Sequence, residues 1–371
     1  MNRLRIALVA EDYYPQLGGV PEHVHHLARE LDALGHATTV VTSNMKGADV
    51  GEHTDVRRIG TSVVIYANGG VARVTIGWRL TARLEALFRA ERFDVVHVHG
   101  GLHPTLGLVA PRAAWRAGIP VVATFHSWFP RSIGYRVLRL PFQRVLDRHA
   151  ATIAVSKSAR DAMARYFTAE WQIIPNGVDT TLFRPDPARA SQQQGGPPRL
   201  LWLGRIEPRN NLATVLEAMP RILERHPAAR LTVVGDGPWR SRMEHSARTL
   251  GEAVHFAGYA NGDRPQYYQR ADVYLCSTTR ASFGVTLLEA MASGTPLVVS
   301  DLPAFRDVAS QSGAVFTPSR DAEAWAGAVS GLIDDPDRRA MMSQAGRAIT
   351  EAYSWTHVAQ RVAAVYHRVL A

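Results

Sequence analysis

Ser282-Phe-Gly-Val-Thr-Leu-Leu-Glu-Ala-Met-Ala-Ser-Gly-Thr-Pro296 runs directly into Leu297-Val-Val-Ser-Asp301. The spacing predicts a short loop, a helix that stops at Gly294, and a buried strand. Such a helix opens with unpaired backbone N–H groups at the positive end of its macrodipole, and both attract phosphate. Glu289 falls about two turns in, where a carboxylate can accept hydrogen bonds from a ribose diol. Diphosphate and ribose together point to a nucleotide. Read alone, the segment also fits an ordinary strand–helix unit with a solvent-exposed glutamate.

Outward from this stretch, apolar strand-like runs alternate with helix-period segments, the pattern of parallel sheets covered on both faces. The first half predicts strands at 4–10, 38–42, 94–98, 121–125, 152–155 and 172–174. Its first helix carries Val24, Leu27, Ala28 and Leu31 on one face and ends at Gly35. The second half restarts with strands at 200–203, 231–234, 254–256, 272–276, 297–300 and 314–316, and with a helix bearing Leu212, Val215, Leu216, Met219 and Leu223. Between them lie Pro185-Asp-Pro187 and the Gly/Pro-rich Ser191-Gln-Gln-Gln-Gly-Gly-Pro-Pro198. The chain therefore divides into domain 1–184, linker 185–198, domain 199–352 and a closing segment 353–371. The expected class is α/β, with two doubly wound domains and a ligand cleft at the C-terminal ends of both sheets.

Length and composition agree: 371 residues suit two α/β cores. Cys276 is the only cysteine, so no disulfide can form within a monomer, and a reducing, cytoplasmic compartment is expected. The run Ile6 to Ala10 is too short for a signal sequence and meets Glu11-Asp12, so it reads as the first strand. No stretch is long and apolar enough to span a bilayer.

The charge is uneven. Twelve arginines and four acids lie between Val71 and Arg148, nearly the whole formal excess of +9. Arg73, Trp78, Arg79, Leu80, Arg83, Leu84, Leu87 and Phe88 fall on a helical pattern with a basic and an apolar face. Arg131 to Arg148 mixes arginine with Tyr135, Leu138, Leu140 and Phe142. Two readings stand: docking on an anionic membrane or lipid headgroup, with Arg73, Arg79 and Arg83 on the membrane or acceptor side, or simple solubilisation of exposed helices. Nucleic acid is not expected as a partner, because no base-stacking platform or DNA-binding motif accompanies the charge. His23, His25 and His26 interleave with an apolar helix face at a spacing that does not suit a metal, and read as surface polar residues.

The opening segment resembles the C-terminal donor motif of retaining GT-B glycosyltransferases of family 4. Tyr14-Pro-Gln-Leu-Gly-Gly-Val-Pro-Glu-His-Val24, Thr124-Phe-His126, Pro175-Asn-Gly-Val-Asp179 and Gly204-Arg205 match the same family in order. Within it the chain looks most like phosphatidylinositol mannosyltransferases and related lipid-acceptor enzymes. The resemblance implies two Rossmann-like domains, with the last helix, 355–370, returning to brace the first. It implies a nucleotide-sugar donor and a lipid, lipid-linked or other glycan acceptor, with no cofactor and no metal. Catalytic roles are implied for His126 near the reacting sugar carbon, Arg205 at the leaving diphosphate and Glu289 at the ribose. Donor contacts are implied for Gly18 and Gly19 beside the β-phosphate, Arg209 and Asn210 after Arg205, Ala260 near the base, and Ser282, Phe283, Gly284 and Val285 at the helix start. Pro175 to Asp179 reads as a structural turn.

Two positions depart from the family pattern. Asn210 stands where a lysine is expected, with Arg209 the nearest cation. Ala281 stands where the first of two paired glutamates is expected. The expected activity is sugar transfer with retention, at the inner face of a membrane if the basic stretch docks there. The alternative is a degenerate relative that binds nucleotide sugar or a partner without turnover. Phosphorylase and epimerase activities share the fold but fit the motifs less well.

Overall fold

The structure is a computed structural model that describes residues 3–16, 18–45, 55–67, 70–102, 105–187, 196–260 and 262–371. Side chains at 65–67 and 70–72 are not described. Residues 188–195, which include the first five residues of the Gly/Pro-rich stretch 191–198, and Leu17 of the first motif lie outside this set. The chain forms two compact units, 1–176 with 355–371, and 177–354.

The first unit holds an eight-stranded sheet in the order β4-β3-β2-β1-β5-β6-β7-β8. The strands are β1 Arg5–Ala10, β2 Ala37–Asn44, β3 Val56–Ala67, β4 Gly70–Ile76, β5 Val95–His99, β6 Val121–Phe125, β7 Ala151–Ala154 and β8 Trp171–Ile173. All neighbours pair in parallel except β3 and β4, an antiparallel edge pair. Alternation along β1 sends Ile6 and Leu8 to one face and Ala7 and Val9 to the other. Helices Gly19–Ala33 and Trp355–Leu370 cover the first face, and helices Leu80–Glu91 and Leu106–Arg116 cover the second.

The second unit holds a six-stranded parallel sheet, β11-β10-β9-β12-β13-β14. Its strands are β9 Arg199–Leu203, β10 Arg230–Val234, β11 Val254–Gly258, β12 Val273–Cys276, β13 Leu297–Ser300 and β14 Ala314–Thr317. Leu200 and Trp202 pack under helices Leu212–Arg225 and Ala322–Asp334, while Leu201 faces the core of helices Arg264–Arg270 and Val285–Ala292. Gly294 ends the latter helix at φ +76°, where a Cβ would lie 2.9 Å from Ser343 Oγ. Cys276 closes β12, with its thiol pushed up to about 11 by burial.

Three expectations are corrected. Strands β3 and β4 were not anticipated, because an edge pair exposed on one side lacks the continuous apolar run of a central strand. Arg73 accordingly sits on β4, not on a helix, with its guanidinium 3.2 Å from Gln16 Oε1 and 3.9 Å from Asp12. The unit boundary falls at 176/177 instead of 184/185, because Val178 and Phe183 are buried in the second unit's core beside Tyr268 and Tyr274. The return falls at 354/355, since the Tyr353 carbonyl accepts from the Val178 amide at 2.8 Å.

The closing helix buries Trp355, Val358, Val362, Val365 and Tyr366 against the first sheet. Its polar anchor is Tyr366, whose hydroxyl lies 2.6 Å from His97 Nδ1, while His97 Nε2 lies 2.7 Å from Thr124 Oγ1. Burial pushes the His97 imidazole down to about 3, so it folds neutral with both nitrogens partnered. Tyr366→Phe keeps the ring and strands one buried nitrogen. The expected loss is about 1–3 kcal/mol in denaturant unfolding. An unchanged midpoint would show that His97 does not depend on this hydroxyl.

Candidate active site

In the second unit, β9 delivers Gly204 and Arg205 beside the end of β10. The two strand ends approach so closely that a Cβ on Gly235, at φ +132°, would lie 1.9 Å from the Gly204 carbonyl oxygen. Arg205 leaves 60% of its side chain exposed, with its Nε 3.3 Å from Glu207. Arg209 is 66% exposed and pairs with the same carboxylate. Two guanidiniums sharing one acid leave an excess positive charge available to an anion.

Asn210 contributes no charge here. Its Nδ2 donates to the Arg205 carbonyl at 2.7 Å, and its Oδ1 accepts from Thr278 Oγ1 at 2.8 Å. Ser277 Oγ donates to the Asn210 carbonyl at 3.0 Å, and the Thr279 amide donates to the Arg209 carbonyl at 2.8 Å. Asn210 therefore ties the loop carrying both arginines to the segment after β12. Both atoms of the amide are thus engaged within the protein, one of them on a partner 68 residues away.

The helix Val285–Ala292 begins after Gly284, and no side chain caps it. Glu289 lies just over one turn in, not two, and its side chain is only 3% exposed. Its Oε2 accepts from the Tyr268 hydroxyl at 2.8 Å, and its Oε1 lies 3.2 Å from the Arg264 guanidinium. Burial and the nearby Glu289 charge push the Tyr268 phenol well above its ordinary range, so it remains a donor. The carboxylate expected at a ribose is thus held by partners within the protein in this structure. A charge among Leu287, Leu288 and Phe305 is held only with a cation and a donor beside it. Arg264 and Tyr268 are spaced i, i+4 on one helix, a signal that was present in the sequence.

The remaining expected donor residues have mixed surroundings. Phe283 is buried, and Gly284 packs on Phe305, whose ring a Cβ would meet at 3.2 Å. Ser282 and Val285 are half-buried, and Ala281 packs against the same core. Ala260 is half-buried beside the exposed Tyr259, just after β11.

In the first unit, Gly18 caps the helix Gly19–Ala33, and beyond its chain neighbours and its own helix backbone a Cβ on Gly19 would meet no described atom within 4 Å. His126 follows β6 and is nearly buried. Burial first, then the neighbouring His23 and His97 imidazoles, hold it well below the usual histidine range. His23 is itself buried, which corrects its reading as a surface residue. Its Nδ1 lies 2.8 Å from Asn176 Oδ1, and its ring stands edge-on to His126 at 4.7 Å. A buried histidine needs such a partner, and Asn176 comes from the motif read only as a turn. His25 reaches Tyr13 and His26 stacks on Trp355.

Arg79 precedes the helix Leu80–Glu91 in a left-handed conformation, and Arg83 is exposed on its first turn. Trp78 beside them is 85% exposed. Farther along, Ile133 is 82% and Leu140 71% exposed, interleaved with exposed Arg131, Arg136 and Arg139.

A family model described as glycosyl transferases group 1 matches residues 184–349, and one described as glycosyltransferase family 4 matches residues 17–182. The chain is 31% identical over 370 residues to a phosphatidyl-myo-inositol mannosyltransferase of Mycolicibacterium smegmatis, covering 99% of this chain and 94% of that protein. It is 30% identical over 400 residues to a glycogen synthase of Mycobacterium tuberculosis, covering 98% and 94%. Among solved structures, sucrose-phosphate synthase from Thermosynechococcus elongatus matches with a TM-score of 0.77 at 22% identity, covering 99% of each chain. Anabaena HepE in complex with UDP matches at 0.81 and 17% identity, covering 98% and 100%. The structural likenesses show the fold, and the sequence likenesses span nearly the whole chain. On both grounds, the chain belongs to the family-4 glycosyltransferases and has the GT-B fold.

Proposed function

We propose that the protein transfers a sugar, with retention, from a nucleotide diphosphate sugar to a lipid or lipid-linked acceptor. The observation that carries this reading is the exposed pair Arg205 and Arg209, sharing the single acid Glu207 in the second unit. With the helix start at Gly284–Val285, they suit a leaving diphosphate whose charge grows as the glycosidic bond breaks. That supply of positive charge makes a metal unnecessary for the leaving group. Retention then proceeds by front-face attack within an ion pair, with the leaving phosphate helping to take the acceptor proton. This route needs no enzyme nucleophile, which accommodates alanine at 281. In the first unit, Gly19 leaves room for a close phosphate, and neutral His126 can donate or accept a hydrogen bond to the sugar.

The lipid acceptor is supported by the mannosyltransferase relatives' name and by the exposed apolar and basic side chains at Trp78–Arg83 and Arg131–Leu140. These side chains suit peripheral docking on an anionic membrane. Among the described residues, no helix is long and apolar enough to cross one. A second reading, nucleotide-sugar binding without turnover, is favoured by the engagement of Glu289 with Tyr268 and Arg264. Mass-spectrometric turnover assays with UDP-, GDP- and ADP-sugars separate the two readings. Product supports transfer, whereas binding with no product from any donor supports the second.

Three variants test the assignments. Arg205→Ala should leave stability intact and lower kcat on the order of 10²–10³-fold with little change in acceptor KM. Wild-type turnover would remove Arg205 from the mechanism. Gly19→Ala should fold with an equal or higher Tm, since alanine is the better helix former, yet raise donor KM at least about tenfold if phosphate passes close by. Unchanged donor KM would mean that no ligand approaches there. In sedimentation with vesicles, the protein should follow anionic and not neutral lipid, and salt should release it. Replacing Arg79 and Arg83 by serine should weaken binding by about 1 kcal/mol each, and equal partitioning to neutral vesicles would argue against electrostatic docking.

A further inference from the structure

His23, His99 and His126 come together inside the first unit from three separate elements: the helix Gly19–Ala33, the end of β5 and the residue after β6. All three are nine-tenths or more buried. One ligating atom from each lies within 4.8 Å of the others. His99 Nδ1 and His126 Nε2 are 3.3 Å apart. Tetrahedral coordination by imidazole nitrogens at about 2.0–2.1 Å places them about 3.3–3.4 Å from one another, so this edge already has the required length.

The hydrogen bonding around the cluster favours ligation. Asn176 Oδ1 is an acceptor, so the His23 Nδ1 it meets at 2.8 Å carries the hydrogen and Nε2 keeps a lone pair. A metal-bound histidine is oriented in the same way, through its outer N–H. Burial holds His23 down at about 4 and keeps His99 and His126 well below the usual range, so the rings are in the neutral, ligating form. The neighbouring histidines are otherwise engaged: both nitrogens of His97 are bonded, His25 meets Tyr13, and His26 stacks on Trp355.

We infer that His23, His99 and His126 form a three-nitrogen site for one divalent transition-metal ion of the zinc type, and that this ion and a donor sugar at His126 exclude each other. Nitrogen-only ligands select zinc, cobalt, nickel or copper over magnesium and calcium. For both His99 Nδ1 and His126 Nε2 to face the ion, the ring that now donates between them moves its proton to its other nitrogen. The lone pairs then point inward, and no net proton is released. Binding rests on the geometry alone, whereas the exclusion rests on the role proposed above for His126.

The test uses tag-free, chelator-stripped, full-length protein titrated with Zn²⁺ against a chromophoric chelator. One tight equivalent is expected, unaffected by excess Mg²⁺, and Co²⁺ should give the intense visible bands of a tetrahedral site. His99→Ala should weaken Zn²⁺ binding at least about 100-fold, whereas His25→Ala and His26→Ala should retain it. Absence of a one-to-one equivalent in the wild type overturns the site, whether or not the variants fold, and so does full binding by a folded His99→Ala. If wild-type turnover is measurable, Zn²⁺ should raise the apparent donor KM, and His99→Ala should lose that response. Tight binding with no effect on donor KM overturns the exclusion and leaves the ion site standing.

Discussion

A parallel sheet has no face to spare for water, and this constraint organises both halves of the chain. Each central strand must present apolar side chains in both directions, and each crossover must return as a covering helix. The alternation of Ile6 and Leu8 against Ala7 and Val9 on β1 satisfies it in the first unit, as Leu200 and Trp202 against Leu201 do in the second. The first unit lacks one covering helix in its own continuous sequence. Helix Trp355–Leu370 supplies it from the far end of the chain, with Tyr366 bonded to His97. With the faces closed, polar chemistry is left to the strand ends, where Arg205 and His126 are found.

Two polar side chains near those ends, Glu289 and Asn210, are matched within the protein. Glu289 is matched by Arg264 and Tyr268, and Asn210 by the Arg205 carbonyl and Thr278. The exposed guanidiniums of Arg205 and Arg209 differ because the acid they meet, Glu207, is shared between them. The contrast separates residues that hold the loops in place from residues that can meet an anion. Asn210 thus braces the loop without carrying charge, and Arg209 is the second cation on it. Alanine at 281 packs into the core instead of presenting a carboxylate.

The histidine-rich end of the first sheet shows how burial sets chemistry. His97 and His99 lie two apart on β5 and share one face, His126 comes from the neighbouring strand, and His23 from the helix above. Desolvation is the largest influence on all four and keeps them neutral. Neutral imidazoles suit hydrogen bonding to an uncharged sugar hydroxyl, and equally suit a soft cation. Only His97 has both nitrogens satisfied by the surrounding hydroxyls.

The sequence by itself determined the class, the six strands of the second sheet, the central strands of the first, the span of the closing helix and the family. These follow from periodicity, turn residues and short motifs, all of which act over a few neighbouring residues. Strands β3 and β4, the antiparallel pair at the edge of the first sheet, escaped because exposure on one side breaks the apolar run. The unit boundary escaped because Val178 and Phe183 look like any turn-flanking apolar residues until their packing is known. Only the tertiary structure decided that Glu289 is closed by Arg264, that Asn210 is a brace, and that His23 is buried against Asn176, His99 and His126. Each of these depends on partners distant along the chain, and local sequence pattern carries no information on which buried polar atoms will meet.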